Sequence, residues 1–379
     1  MKSYFEFDSY RNPAALNDLS RSLLRSMSSA SYNHRRRNIS SSTPPTAQFS
    51  PAPLQWTNNF QSKLSEKSSV YQALQLVKAR GRNDPDVSAD FDRRKQNNQQ
   101  SFSMPQAQYR DQFLDIFTDI NSAVGRIFVD NKVQVFLDLG CAPGGFSKFI
   151  LDNNSQARGM GITLPTIPMV RDGALMKDSR YHVVEGDLTQ LNFDATSFCL
   201  PSARIELEKD GYDLIIAGAF PTGQRMSAAD RAILALSQLH AILSNMKPGG
   251  TAVVLASTKE FLWNAEMLAA LRRVFVQIQP AKHAKLHAIR SSCYFVCTGF
   301  KADVVDEFSF KGRVKAALAE LKMPQSEDAN KLLIFDGLYT AEMFFTEESR
   351  HFLDLMEPLW SKQCEAIKQK IRKTRRGSL

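Results

Sequence analysis

Val133–Gly161 reads VQVFLDLGCAPGGFSKFILDNNSQARGMG, and its pattern changes twice. Val133 to Leu137 is an apolar run ending in Asp138, which predicts a buried strand. Gly140-Cys141-Ala142-Pro143-Gly144-Gly145 then forms a tight turn. Beyond it Phe146, Phe149, Ile150 and Leu151 fall at helical spacing. Strand, glycine-rich loop and helix make the first unit of a doubly wound α/β sheet. Glycines at 140, 144 and 145 suit a sharp turn and leave room for a ligand against the backbone. The free N–H groups of the following helix would point at that ligand.

The spacing separates this loop from two commoner ones. The dinucleotide fingerprint is G-x-G-x-x-G, whereas here the glycines read G-x-x-x-G-G with a proline between. No Gly-Lys-Ser/Thr follows, which excludes a phosphate loop. The string Asp138-Leu139-Gly140-Cys141-Ala142-Pro143-Gly144-Gly145-Phe146-Ser147 resembles the S-adenosylmethionine (SAM) loop of the FtsJ-like family of RNA ribose 2′-O-methyltransferases. That resemblance covers Tyr109–Phe300. It implies a Rossmann-like, seven-stranded SAM-dependent methyltransferase sheet, SAM as cofactor and RNA as partner. Asp138, Gly140, Cys141, Ala142, Pro143, Gly144, Gly145 and Phe146 would then line the cofactor site. Asp187 would accept from the adenine amino group, with Leu188 beside it, although an Asx-type turn is the alternative role for Asp187.

The periodicity supports that architecture further along. Ala157–Thr163 and Tyr181–Leu188 read as strands, the second ending in an acidic turn. Tyr212–Ala217 is apolar enough to be buried on both faces. A helix over Ala228–Met246, the Lys247-Pro248-Gly249-Gly250 turn and a strand over Thr251–Ala256 follow. Trp263–Arg272 is helical, and Val274–Ile278 and Tyr294–Phe300 are strands.

The family resemblance also implies a catalytic Lys-Asp-Lys-Glu tetrad, in which a lysine makes a ribose hydroxyl nucleophilic. None of the four is in register. The helix before the sheet, Tyr109-Arg110-Asp111-Gln112-Phe113-Leu114, has no lysine. The aspartate position in Ala217-Gly218-Ala219-Phe220-Pro221 is Gly218, the central lysine position is Leu255, and Ser292 stands for the glutamate. The catalytic residues are therefore unassigned. Lys259, Lys282, Lys285 and Asp213 are the available substitutes. The end of the second strand carries Ile162-Thr163 where many SAM enzymes have an acid for the ribose hydroxyls, so those contacts must differ. His283, His287, Cys293 and Cys297 read H-x3-H-x5-C-x3-C, but Cys297 falls in an apolar strand, so buried thiols are expected and no metal is assigned.

Length and composition bound the rest. At 379 residues with 43% hydrophobic content, the chain can bury a sizeable core. A net charge of +9 favours a polyanionic partner, much of it carried by terminal segments. No apolar run is long enough to cross a bilayer, and five scattered cysteines suit reduced thiols, so an intracellular protein of nucleus or cytoplasm is expected. Residues 1–60, Ser- and Pro-rich with Arg35-Arg36-Arg37, are expected to be a disordered arm; acidic Glu6, Asp8 and Asp18 fit a mitochondrial leader poorly. Residues 61–108 form a lead-in, with a helix from Lys63 ended by Gly81 and then a polar patch, Asp84–Gln100. Residues 109–300 are the methyltransferase domain. Residues 301–379 are a helical extension, Gly312–Leu321 and Glu347–Lys373, whose basic tail from Lys368 to Arg376 would contact RNA backbone or simply be solvated.

Three functions follow from the sequence. The first is methyl transfer from SAM to RNA, by resemblance to the ribose 2′-oxygen of an rRNA, tRNA or cap. The second is a catalytically silent SAM-binding scaffold. The third is methyl transfer to a nitrogen acceptor, which needs no alkoxide-forming lysine.

Overall fold

The computed structural model describes residues 59–100, 106–165, 174–194, 197–200, 203–220, 227–323 and 331–377. The arm before residue 59 and Pro221 lie outside the described residues.

The organising unit folds as the sequence pattern requires. Strand β1 (Val135–Leu139) leads through the glycine loop into helix α5 (Gly145–Asn153). Around it stands a seven-stranded sheet of β2 (Arg158–Thr163), β3 (Tyr181–Glu185), β6 (Tyr212–Ala217), β7 (Met246–Ser257), β8 (Phe275–Ala281) and β9 (Ser292–Phe300). Its order is β3-β2-β1-β6-β7-β9-β8. Neighbours run parallel except β9, which is antiparallel to both β7 and β8. The strand order reverses beside β1, which places the carboxyl ends of β1 and β6 at the point where such sheets open a crevice. A small hairpin, β4 (Ser197–Leu200) with β5 (Ala203–Glu206), was not legible in the sequence.

Two cores flank the sheet. On one face helix α4 (Gln106–Ala123) packs on α5, with the Phe117 ring 4.9 Å from Phe146, 5.1 Å from Phe149 and 5.2 Å from Phe128. Asn154, fully buried, fastens the turn into β1: its amide donates to Phe128 O (2.9 Å) and Ile150 O (2.8 Å) and its carbonyl accepts from Val133 N (3.3 Å). The other face carries α7 (Ala228–Asn245), α8 (Leu262–Val274), α9 (Ala302–Glu307) and α10 (Phe310–Leu321). It also carries α11 (Ala341–Gly377), joined by α1 (Asn59–Lys67), α2 (Ser69–Asn83) and α3 (Pro85–Gln100). A four-residue helix, α6 (Ala174–Lys177), precedes β3.

Several expected boundaries move, each for a local reason. Gly81 does not end its helix, which runs to Asn83. The break comes earlier, at Ser68, whose hydroxyl accepts from Tyr71 N and caps α2. Gly81 is retained where the helix passes Ile371, whose Cδ1 lies 3.6 Å from a notional Cβ. The polar patch is helix α3, started by Pro85 at its first position. Lys247–Gly250 is folded into β7 as an irregularity rather than ending before it: the pairing with β6 jumps from Tyr212↔Met246 to Leu214↔Thr251, with Gly249 at φ 77°.

The helical extension is not a tail. Trp360 is fully buried, 5.0 Å from the Tyr71 ring, and donates Nε1–H to Thr258 O at 2.9 Å. Of the basic run, Lys370 pairs with Asp90 and Arg375 with Asp84 (2.7 Å), so both are spent holding α3. Among the described residues no helix is long and apolar enough to cross a membrane.

Candidate cofactor site

Asp138 is the centre of the site. It is the fourth residue of β1, 1% exposed, and lines a shallow hollow that opens to solvent. The lining is Asp138 with Gly140, Cys141, Ala142, Pro143, Gly145 and Phe146 from the loop, joined by Phe113 of α4 and by Gly218 and Phe220 beyond β6. Eight of the ten cofactor candidates read from the sequence are loop positions Asp138 to Phe146, and all but Gly144 line this hollow. Gly144 shapes it instead, as the left-handed N-cap of α5 at φ 101°.

Beneath the loop runs a buried polar chain. The Tyr181 hydroxyl donates to Ser147 Oγ (2.7 Å), and the Ser147 hydroxyl donates to Asp138 Oδ2 (2.6 Å). Asp138 Oδ1 has no hydrogen-bond partner among the described residues. Burial pushes the Asp138 carboxyl up to about 7, against the pull of Ser147. The same burial pushes the Cys141 thiol and the Tyr181 phenol well above their ordinary values, with Asp138 adding to both. Ser147 and Tyr181 were missed in the sequence because their meeting is tertiary: Tyr181 opens β3, two strands away.

The glycines do a different job from the expected one. A Cβ on Gly140 would stand 2.5 Å from Ala219 Cα, and one on Gly145 would stand 2.5 Å from Arg110 O and 2.6 Å from Phe113 Cβ. They are bare chiefly so that the chain after β6 and helix α4 can close on the loop. The φ values of 83° at Gly140 and 101° at Gly144 add a conformational requirement. Ala219 is itself clamped by Gln238 of α7, which accepts from Ala219 N (2.9 Å) and donates to Ala219 O (3.1 Å). Gly140 N (2.8 Å) and Cys141 N (3.1 Å) donate to Ile162 O, welding the loop to β2.

Asp187 and Leu188 sit at the carboxyl end of β3, apart from the hollow's lining. Asp187 Oδ1 accepts from Thr189 N (2.9 Å) and Thr189 Oγ1 (2.8 Å), an Asx-type turn that caps a short 3-10 turn. The Leu188 side chain is buried in the core, so only its main chain could meet a ligand. Thr163, which stands where an acid was missing, is also buried.

Of the substitute catalytic residues, Asp213 is at the wrong edge. It is the second residue of β6, pairs with Lys247 and accepts from Gln134 N (2.9 Å) and Val135 N (2.8 Å), pinning the start of β1. Lys259 Nζ lies 6.0 Å over the Phe261 ring. Lys282, 8% exposed, donates to Arg290 O (2.7 Å) and Ser292 O (2.8 Å). The tetrad positions themselves carry apolar packing: Leu255 pairs with Tyr294, and the Tyr294 ring meets Phe146 at 5.9 Å and His287 at 5.8 Å. The histidines and cysteines of the zinc-like spacing are spent in the fold. His283 accepts from Leu286 N (3.0 Å) and contacts Asp119 (3.2 Å), while Cys293 and Cys297 are fully buried in the core. No group able to hold a metal ion occurs among the described residues.

A mixed sheet of this order, with a glycine loop closing on an acid at the end of β1, defines the class of SAM-dependent methyltransferases. Residues 117–300 match the model of the FtsJ-like methyltransferase family, so this stretch is an FtsJ-like methyltransferase domain. Among solved structures it is similar to a protein described as a ribosomal RNA methyltransferase from Plasmodium falciparum (20% identity, 49% of this chain and 96% of that one, TM-score 0.35). It is similar also to human methyltransferase-like protein 13 in complex with SAH (13% identity, 56% and 96% covered, TM-score 0.34). A third is spermidine synthase from Thermotoga maritima (12% identity, 64% and 73% covered, TM-score 0.35). No curated protein sequence matches the chain significantly.

Proposed function

We propose that this protein is a SAM-dependent RNA methyltransferase whose acceptor is a nitrogen rather than a ribose 2′-oxygen. The observation that carries SAM binding is Asp138 Oδ1, a buried and unpartnered oxygen of a carboxylate that lines the loop hollow. An unmade hydrogen bond at so buried a charge costs about 1–3 kcal/mol or more, so the position favours a cationic donor such as the ammonium of an amino acid. Asp138 would take that ammonium, and the loop from Gly140 to Phe146 would take the rest of SAM's amino-acid end. When bound, SAM supplies an electrophilic methyl group on a sulfonium. RNA as the acceptor follows from the family.

The choice of nitrogen rests on what stands at the tetrad positions. Gly218, Leu255 and Ser292 offer neither a lysine to favour an alkoxide nor carboxylates to hold one, and Leu255 and Tyr294 make an apolar wall against Phe146. A ribose hydroxyl must lose its proton as it attacks, whereas a ring nitrogen presents a lone pair as it stands.

The test is transfer of tritiated methyl from SAM to total RNA, followed by digestion to nucleosides. Label in base-methylated nucleosides is the expected result. Label in 2′-O-methyl nucleosides would overturn the nitrogen assignment. SAM binding without any label in RNA would replace the enzyme by a SAM-binding scaffold.

A further inference from the structure

Asp138 is reached by a chain of hydroxyls that begins two strands away, and the sheet is shaped to let that chain pass. Phe136, Gly159 and Tyr181 stand in one cross-strand row of β1, β2 and β3. Gly159 carries no side chain, so the Phe136 and Tyr181 rings close over it, centroids 5.8 Å apart and planes at 13°. The next residue of β2 on the same face, Gly161, is bare too, and it is the cross-strand partner of Asp138. A Cβ there would collide with the Tyr181 hydroxyl and stand 2.6 Å from Cys141 Sγ. Two side chains are thus absent from β2 where one phenol passes across it.

The hydroxyl that arrives is put to use at once. Tyr181 meets Ser147 Oγ at 2.7 Å, and Ser147 meets Asp138 Oδ2 at 2.6 Å; all three residues are buried. Ser147 has one proton to give. With Tyr181 donating to its oxygen, that proton is directed at Asp138 Oδ2, and each bond polarises the next. Oδ2 is thereby occupied, and Oδ1 is the oxygen left without a partner among the described residues. The titratable groups that face the carboxylate are the Cys141 thiol from the loop and the Tyr181 phenol from β3, both held neutral by burial. Helix α4 brings Phe113 to the hollow, and the chain after β6 brings Gly218 and Phe220.

We propose that Ser147 and Tyr181 are positioning residues of the cofactor site, which fix the Asp138 carboxylate by its Oδ2 so that Oδ1 remains for the ammonium of SAM. The inference rests on Asp138 holding SAM, and it makes that hold depend on a residue of β3. Tyr181 acts through Ser147, so once Ser147 is removed the phenol has nothing left to act on.

The test is a double-mutant cycle on the full chain, read by two titrations. Calorimetry gives SAM affinity from pH 6 to pH 9. Urea melts of the SAM-free chain over the same range, each against the same chain carrying Asp138→Asn, follow the carboxyl without the cofactor. Burial raises this carboxyl to about 7, so the stability it contributes falls until the pH passes that value. Ser147→Ala removes a hydrogen bond to a charged group and should move both midpoints up by about one to two pH units. Tyr181→Phe keeps the ring on Phe136, loses the first hydroxyl of the relay, and should move them up by about 0.3 to 0.5 unit. The double variant should match Ser147→Ala. Tyr212→Phe deletes another buried hydroxyl, one that accepts from Glu208 N (3.3 Å) at the amino end of β6, and should leave both midpoints in place. Wild-type midpoints in Ser147→Ala, or a Tyr181→Phe shift that adds in full to that of Ser147→Ala, would overturn the positioning chain while leaving SAM as the cofactor. Unchanged SAM affinity in Asp138→Asn across the pH range, with the SAM-free melts still shifted by Ser147→Ala, would remove Asp138's hold on the cofactor and this proposal with it.

Discussion

Asp138→Asn should make the protein more stable and worse at binding its cofactor. At the base of the hollow the carboxyl is raised to about 7 from an ordinary 3.8, by burial first and despite the Ser147 hydroxyl. Between those two values the folded chain keeps a proton that the unfolded chain has lost, so this group's contribution to stability falls as pH rises through the window. Above pH 7 the carboxylate is carried at a cost of about 4 kcal/mol. Asparagine keeps an oxygen for the Ser147 hydroxyl at Oδ2's place and removes the charge. The variant should therefore gain up to about 4 kcal/mol in denaturant unfolding at pH 8 and little at pH 4. Against SAM it should lose a charged hydrogen bond, about 1.5–3 kcal/mol, or roughly 10- to 150-fold in affinity. Wild-type affinity should fall about tenfold from pH 8 to pH 6 as the carboxyl protonates, and that dependence should vanish in the variant. Calorimetric titration with SAM beside urea melts across this pH range measures both. Destabilisation by Asn at pH 8, or unchanged SAM affinity, would refute the placement of an unpartnered carboxylate in the cradle.

Two other substitutions test the frame. Gly144→Val forces a β-branched residue to φ 101° at the N-cap of α5 and should abolish SAM binding measured by calorimetry, with a loss of at least about 1–3 kcal/mol in stability. Trp360→Ala removes a fully buried ring and leaves the Thr258 carbonyl unmatched, so unfolding should become about 3–5 kcal/mol easier, read from denaturant melts.

The run from Val133 to Leu151 was legible because its information is local. An apolar strand, a turn that needs glycine at positive φ and a helical stripe each depend on neighbours within a few residues, and the structure puts them as the spacing predicts. The strand and helix succession to Phe300 is legible for the same reason. The boundaries that moved did so where one contact outweighed propensity, as at Ser68 capping α2, or where a glycine pair was absorbed into β7. Asp213 could be assigned to either edge of the sheet until the strand's direction and the Lys247 pairing were known.

By itself the sequence determined the class of the fold, the glycine loop between β1 and α5, and the lack of the family's tetrad, since each is written in residue types at fixed spacing. The tertiary structure alone decided what surrounds Asp138, because Ser147, Tyr181, Phe113 and Gly218 reach it from separate elements. It alone decided which cations of the basic tail stay free for solvent, turning Lys370 and Arg375 to acids of the lead-in helices. Burial and electrostatics depend on distance in space, and distance along the chain does not report it.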